Sequence, residues 1–175
     1  MKRIVTALAL FCMIFALSAA ASAAPLAEHV PDARQVGSGK LNFLVWNVYT
    51  ATLYAPSGRW SPDGPFALRI DYHMDLAGRD IAQRSVEEMR RQGLEDPRAV
   101  GRFRARMEDI FPDVAAGTSL TGIRDSRGAT LFFRDHEFIG SVEEPEFTDR
   151  FFAIWLDPGT SEPALRRSLL GLQRP

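Results

Sequence analysis

Apolar side chains fill both alternating faces of residues 43–54, "FLVWNVYTATLY", a pattern that predicts a strand covered on both sides. At about 3.4 Å per residue, such a strand would reach roughly 40 Å, so we expect a bend or bulge along it. Two glycines, Gly37 and Gly39, precede this segment. They predict a tight hairpin between "ARQVG" and the long strand.

Downstream of this segment, the apolar spacing switches between strand and helix. "FALRIDYHM" predicts a second strand, and helical spacing follows over residues 80–93 and 96–111. Asp80 resembles the start of a capping box, and Asp96 before a proline resembles an N-cap. Three short strands and two further helices complete the pattern. Strands on both sides of a helical block predict an α+β fold, with an antiparallel sheet covered on one face by helices.

The start of the chain has the pattern of a secretory signal peptide. Positive charges at Lys2 and Arg3 precede an apolar run over residues 4–17, and small residues with Ala-x-Ala spacing follow. An uncleaved membrane anchor is the alternative, but the run is shorter than the roughly 20 residues that a spanning helix needs. We therefore expect export to the periplasm, a mature chain that begins at Ala24 or Pro25, and no stable insertion in a membrane.

Removing the predicted signal peptide, residues 1–24, changes the chemistry that the chain can support. Cys12 is the only cysteine, so residues 25–175 contain no thiol for a disulfide, a thiolate metal site or a nucleophile. The full chain has a net charge of −1, and losing two basic residues makes it more negative, so we expect no nucleic acid partner. Residues 25–175 suffice for one domain. We expect its first part, residues 25–34, to be a flexible polar lead-in.

Motifs that mark common cofactor and metal sites are absent from the sequence. "GSGKLN" lacks the third glycine of a dinucleotide fingerprint and leads into a strand instead of a helix. The histidines, His29, His73 and His136, have no second ligand at a helical spacing, and no G-x-S-x-G elbow is present. We therefore expect no cofactor and no metal.

Three segments taken together resemble the bacterial branch of the chalcone isomerase-like family. They are "VGSGKLNFLVWNVYTATLYAP", "DIAQRSVEEMRRQG" and "FIGSVEEPEFTDRFFAIWLDPGTSEPALRRSLLG". The resemblance covers residues 34–171, nearly all of the predicted domain. It implies an open-faced β-sandwich, in which a large antiparallel sheet is covered on one face by a layer of helices.

The resemblance also implies which positions would carry isomerase chemistry. In the plant enzymes an arginine, a threonine, a tyrosine and an asparagine bind and polarise the substrate. These positions fall on Leu41, Leu44, Ile81 and Glu88 of this chain. Leucine and isoleucine side chains cannot polarise a ketone or hold a phenolate. The resemblance therefore implies no retained catalytic residue.

The family's architecture further implies a ligand cleft between the long strand and the first helix of the domain. The candidate ligand-binding residues are Lys40, Trp46, Tyr54, Arg84 and Glu88. Lys40 or Arg84 would hold an anionic head group by a charge-assisted bond, and Trp46 would supply apolar wall. Arg84 lies four residues before Glu88 on one helix face, so we expect an ion pair between them. The alternative is that this pair is only a feature of the surface.

Three functions remain open at this point. The first is a periplasmic, non-catalytic protein that binds an apolar or fatty-acid-like small molecule between sheet and helices. The second is an accessory or interaction protein whose cleft is filled by its own side chains. The third is an isomerase-type enzyme that uses a different residue set, such as Glu88 with Tyr54.

Overall fold

The computed structural model of the protein describes residues 24–172. One antiparallel sheet runs through it, with its six strands in chain order: β1 (Ala33–Phe43), β2 (Trp46–Pro56), β3 (Phe66–Tyr72), β4 (Ser119–Arg124), β5 (Thr130–Arg134) and β6 (Glu137–Val142). The helices are α1 (Ala24–His29), α2 (Gly78–Arg91), α3 (Pro97–Ile110), α4 (Pro145–Leu156) and α5 (Pro163–Leu169). The α+β prediction is confirmed. The predicted signal peptide, apart from its last residue, lies outside the described residues.

Most of the strand predicted over residues 43–54 is observed as β2, but its first three residues belong to the end of β1 and to a reversal of the chain. β1 ends at Phe43, β2 begins at Trp46, and these two residues pair across the ladder. Leu44 turns the chain with a φ of 55°, in the left-handed region that side chains other than those of glycine, asparagine and aspartate seldom adopt. The predicted start of the strand was wrong by three residues, because strand-forming residue types continue straight through this turn.

Both glycines of the "GSG" segment lie inside β1 and allow a helix to pack directly against it. A Cβ atom on Gly37 would overlap the backbone oxygen of Ser168 in α5, and one on Gly39 would lie 2.7 Å from Leu165 Cδ1. No side chain fits in that space. The tight hairpin predicted at these glycines was therefore wrong, since their role is close contact between β1 and α5.

The sheet buries one face under the helices and part of the other under α1. Residues of β3 alternate between the two, so that Leu68 and Ile70 belong to the large core beneath the helices and Ala67 to a small core on the opposite face. Val30, which follows α1, is fully buried in that small core. The prediction of a flexible lead-in over residues 25–34 was wrong, because this segment supplies core side chains.

The first turn of α2 is held by a residue far away in the sequence. The helix begins at Gly78, whose backbone N–H donates to Asp113 Oδ1 at 2.9 Å, so the capping box predicted at Asp80 was wrong. A Cβ atom on Gly78 would overlap the backbone oxygen of Phe111. By contrast, the predicted N-cap of α3 is confirmed, since the Asp96 side chain accepts from the following turn. These contacts fix the position of α2 over the sheet.

Candidate functional site

A cavity of about 360 Å³ lies between the sheet and helices α2 and α4. Apolar side chains from β3, α2 and α4 make up much of its wall, among them Leu68, Ile70, Ile81 and Ile154. Their positions follow from local periodicity, because every second residue of a strand and every third or fourth residue of a helix faces the same side. The cavity is thus bounded by the same faces that form the large core.

Two tyrosines and a tryptophan form the polar part of one wall. Trp155 Nε1 on α4 donates to the Tyr49 hydroxyl on β2 at 2.9 Å, and the Tyr49 and Tyr72 rings meet edge to face at 6.0 Å. The indole can only donate, so the hydroxyl proton of Tyr49 is not used in that bond. The wall therefore presents a neutral hydrogen-bond donor to the cavity.

The protonation state of Tyr49 follows from its surroundings. Burial raises the pKa of Tyr49 to about 12, although the hydrogen bond from Trp155 opposes this effect. Burial also raises the pKa of Tyr72 well above its ordinary value. Both phenols therefore stay protonated throughout the physiological range.

Glu88 brings a buried carboxylate to the α2 side of the cavity. Its side chain is only 6% exposed, and Arg84 Nη2 lies 3.0 Å from its Oε1, which confirms the predicted ion pair. Arg91 Nε lies 3.7 Å from the other oxygen. Neither carboxylate oxygen accepts a well-aligned hydrogen bond, however. The two guanidinium groups therefore balance the negative charge of Glu88, but their geometry does not give its oxygens well-aligned hydrogen bonds.

The charged residues around the cavity are mostly acidic. Asp80, Glu88 and Glu162 line it, whereas Arg84 supplies the positive charge. That guanidinium group is shared, since it also lies 3.7 Å from Glu87. A ligand carboxylate would compete with two glutamates for Arg84, so the polar wall suits neutral hydrogen-bonding groups as well as anions.

The structure brings together two of the five predicted site residues. Arg84 and Glu88 line the cavity, and Lys40, Trp46 and Tyr54 do not belong to its wall. That any of the five contacts a ligand stays a prediction. Because Tyr54 packs with the small core on the opposite face of the sheet, it cannot act together with Glu88.

Strand alternation explains the placement of the other two predicted residues. Lys40 is exposed on β1, and its neighbour Leu41 faces the cavity instead. Trp46 lies at the end of the β1–β2 hairpin and is exposed. Of the positions implied by the family resemblance, Ile81 lines the cavity like Leu41, whereas Leu44 is at the hairpin turn.

Sequence reasoning missed the residues that give the cavity its neutral polar wall. Tyr49, Ala51 and Leu53 are alternate residues of β2, so their side chains share the face of the sheet that the helices cover. This inference requires knowing where β2 begins. Trp155 belongs to an apolar helical stripe, and such a stripe is the usual pattern of core residues. Its partnership with Tyr49 spans 106 positions in sequence and leaves no local pattern.

Two kinds of site are not found in the part of the chain that the structure describes. No group of three or more histidine, cysteine, aspartate or glutamate side chains is placed to hold a metal ion. None of the described helices has the length and apolar character that crossing a bilayer requires.

Comparison with proteins of known structure identifies the fold of this chain. No family model and no characterised protein sequence matches this chain. Among solved structures it is similar to the crystal structure of a fatty-acid binding protein from Arabidopsis thaliana, with a TM-score of 0.60 and 13% sequence identity. The match covers 80% of this chain and 87% of that chain. The chain therefore has a chalcone isomerase-like fold, the fold of this neighbour.

Proposed function

We propose that this protein is a non-catalytic member of the bacterial chalcone isomerase-like proteins and binds an apolar, fatty-acid-like small molecule. The observation that carries the proposal is the cavity of about 360 Å³ between sheet and helices, with an apolar wall and a few polar groups. Ligand pockets of proteins typically have volumes of roughly 300–1,000 Å³ and this kind of lining. The fold shared with a plant fatty-acid binding protein supports the same class of ligand.

The side chains in the cavity favour binding over isomerisation. Leu41 and Ile81 lie in the wall where the family resemblance implies polarising groups. Alkyl side chains there add apolar surface, and each methylene of a ligand chain that they cover contributes about 0.8 kcal/mol. Binding should therefore tighten by about fourfold for each added methylene until the chain outgrows the cavity.

The polar wall assigns an orientation to such a ligand. The free hydroxyl proton of Tyr49 and the guanidinium group of Arg84 are two donors that an oxygen of the ligand could meet in this wall. The alkyl chain would then lie among the apolar residues of β3, with Ile70 as one contact. A cleft filled by the protein's own side chains, the accessory-protein alternative, is at odds with a cavity of this volume.

The proposal includes export and periplasmic function. The apolar run and Ala-x-Ala spacing near the N-terminus support a signal peptide of residues 1–24, followed by the binding domain over residues 25–175. Cleavage there would keep Val30 and the small core intact. Protein from the exported fraction of the native host should begin at Ala24 or Pro25 on N-terminal sequencing, and an intact Met1 would contradict export.

A titration with saturated fatty acids of increasing chain length tests the binding itself. We expect saturable binding with one molecule per chain. Ser85, which lines the cavity, offers a filling variant in Ser85→Phe, and Gln83 on the exposed side of the same helix offers the matched control Gln83→Phe. The filling variant should lose binding and the control should keep it. No saturable binding to wild type, or equal binding by both variants, would overturn the proposal.

A further inference from the structure

The end of the β1–β2 hairpin exposes four consecutive apolar side chains. We call this segment, residues 43–46, the apolar tip. Its exposed fractions are Phe43 69%, Leu44 83%, Val45 89% and Trp46 68%. The other large apolar side chains that are exposed in the described range, Met74, Phe138 and Leu172, are separate in sequence. Contiguous exposed apolar surface on a folded domain marks a contact with something else.

The residue types at the apolar tip are unfavourable for a tight turn. Two-residue hairpin loops favour asparagine, aspartate and glycine, because positive φ angles are needed there. Here Leu44 takes a φ of 55°, and β-branched Val45 follows it. The hairpin thus places large apolar groups where polar or small ones would close the turn with less strain.

The positive charge of the hairpin and the contact of its tip with the ligand cavity indicate what the apolar tip binds. Residues 33–56, the whole hairpin, contain Arg34 and Lys40 and no aspartate or glutamate. Lys40 is exposed three residues before Phe43, so it would lie at the level of phosphate groups if the tip entered a bilayer. Phe43 also lines the ligand cavity. The apolar surface of the tip is therefore continuous with the cavity wall.

We propose that the apolar tip enters the interface of a phospholipid bilayer reversibly, without spanning it, and that apolar ligand passes between the bilayer and the cavity along Phe43. Such peripheral contact is compatible with the expectation that the mature chain has no stable insertion in a membrane. Only the ligand-transfer part rests on the proposed function, since insertion needs no ligand. Tryptophan suits this position, because its ring is apolar and its N–H can meet the headgroup layer. A stable protein interface uses about 20 residues or more on each side, and a tip of four residues does not supply them.

Flotation with phosphatidylcholine vesicles, with and without phosphatidylglycerol, tests insertion. Wild-type protein should float with both, and more strongly with the anionic lipid because of Lys40. The double variant Leu44→Asp with Val45→Asp should reduce the bound fraction by roughly tenfold or more. Leu172→Asp, at an exposed apolar residue outside the tip, is the matched control and should bind like wild type. Thermal unfolding of each variant verifies that the fold is intact.

A depth measurement separates insertion from adsorption. Lipids brominated on their acyl chains should quench tryptophan fluorescence of wild-type protein, and Trp46→Leu should lose most of that quenching while still floating. Wild-type protein that does not float, a double variant that floats like wild type, or a tip that instead drives self-association without lipid would each overturn the proposal. Fatty-acid titration of the double variant in vesicle-free solution reports on the cavity alone, so failure of ligand binding is distinguishable from failure of insertion.

Discussion

Two parts of the layer between sheet and helices are both built around aromatic rings and differ in how they fill space. In the phenylalanine cluster, Phe103, Phe111, Phe132, Phe147 and Phe151, neighbouring ring centroids lie 5.1–6.3 Å apart, and most pairs meet edge to face. Around the cavity, the Tyr49 and Tyr72 rings lie 6.0 Å apart and Trp155 is hydrogen-bonded to Tyr49, yet about 360 Å³ stays open beside them. Phe111, Phe132 and Phe151 of the cluster also face this space, whereas Phe103 and Phe147 do not.

The difference shows that side-chain chemistry, within one pair of layers, decides between packing and binding. Phenyl rings have no polar group to satisfy, so they interlock and contribute contact energy. The hydroxyl of Tyr49 and the indole N–H of Trp155 are tied to each other, which fixes both rings and keeps them from collapsing into the space. The part of the cluster that lies away from the cavity, Phe103 and Phe147, should therefore determine stability, and the cavity wall should determine ligand affinity.

The largest effect is expected in the phenylalanine cluster. Phe147 is fully buried there, so Phe147→Ala should lower the free energy of unfolding by about 3–5 kcal/mol. Phe138→Ala, at an exposed position of β6, is the control and should lower it far less. Urea denaturation measures both. A loss below about 1 kcal/mol for Phe147→Ala would show that the cluster is not tightly packed.

On the cavity wall, the buried carboxylate should respond next most strongly. Arg84→Met removes the closest positive charge from Glu88 and should lower the free energy of unfolding by about 1–2 kcal/mol. Arg104→Met is the matched control, because Arg104 and Glu108 have the same i,i+4 spacing with both side chains exposed. That control should change stability by less than about 0.5 kcal/mol. Equal losses would mean that burial of Glu88 does not matter.

Alkaline pH should act on the tyrosines of the cavity wall, because phenylalanine rings have no ionisable group. Because burial raises the pKa of Tyr49 to about 12, the unfolded chain ionises first as pH rises. The contribution of Tyr49 to stability is thus fully present below about pH 10 and should decline above it, by on the order of 1 kcal/mol near pH 11. Tyr49→Phe should flatten this decline in denaturation curves. A wild-type curve that stays level above pH 10 would contradict the assigned burial.

The smallest effect concerns head-group preference. Glu88→Gln removes a negative charge beside Arg84 and keeps the side-chain shape. Fatty-acid affinity should then rise by about threefold relative to the fatty alcohol of equal length, because a like charge no longer opposes the carboxylate. Paired titrations with the acid and the alcohol measure this ratio. If the ratio does not change, the head group does not lie near Glu88.

The strand and helix types were predictable from the sequence because they depend on local periodicity. The N-cap at Asp96 and the Arg84–Glu88 pair involve residues within one helix turn and were predicted for the same reason. The reversal at Leu44 was not, since the turn lacks the usual residue types. Placing that turn wrongly made Trp46 a wall residue, and Tyr54 was also assigned to the ligand side although it packs on the opposite face.

The remaining features of the site depend on contacts between residues distant in sequence. Asp113 caps α2 from 35 positions away, and α5 approaches β1 only because Gly37 has no side chain. The cavity is the volume that side chains leave unfilled between the sheet and the helices. The spacing of apolar residues along the sequence does not predict that volume. The sequence therefore predicted the layers and one charged pair, whereas the shape of the site required the three-dimensional arrangement.

Native mass spectrometry after incubation with hexadecanoic acid tests ligand binding in the cavity most directly. Wild-type protein should carry one fatty-acid molecule per chain, with binding that saturates at that ratio. Ser85→Phe should remain free of the ligand, and Gln83→Phe should match wild type. Wild-type protein that carries none, or a filled-cavity variant that carries as much as wild type, would contradict the account.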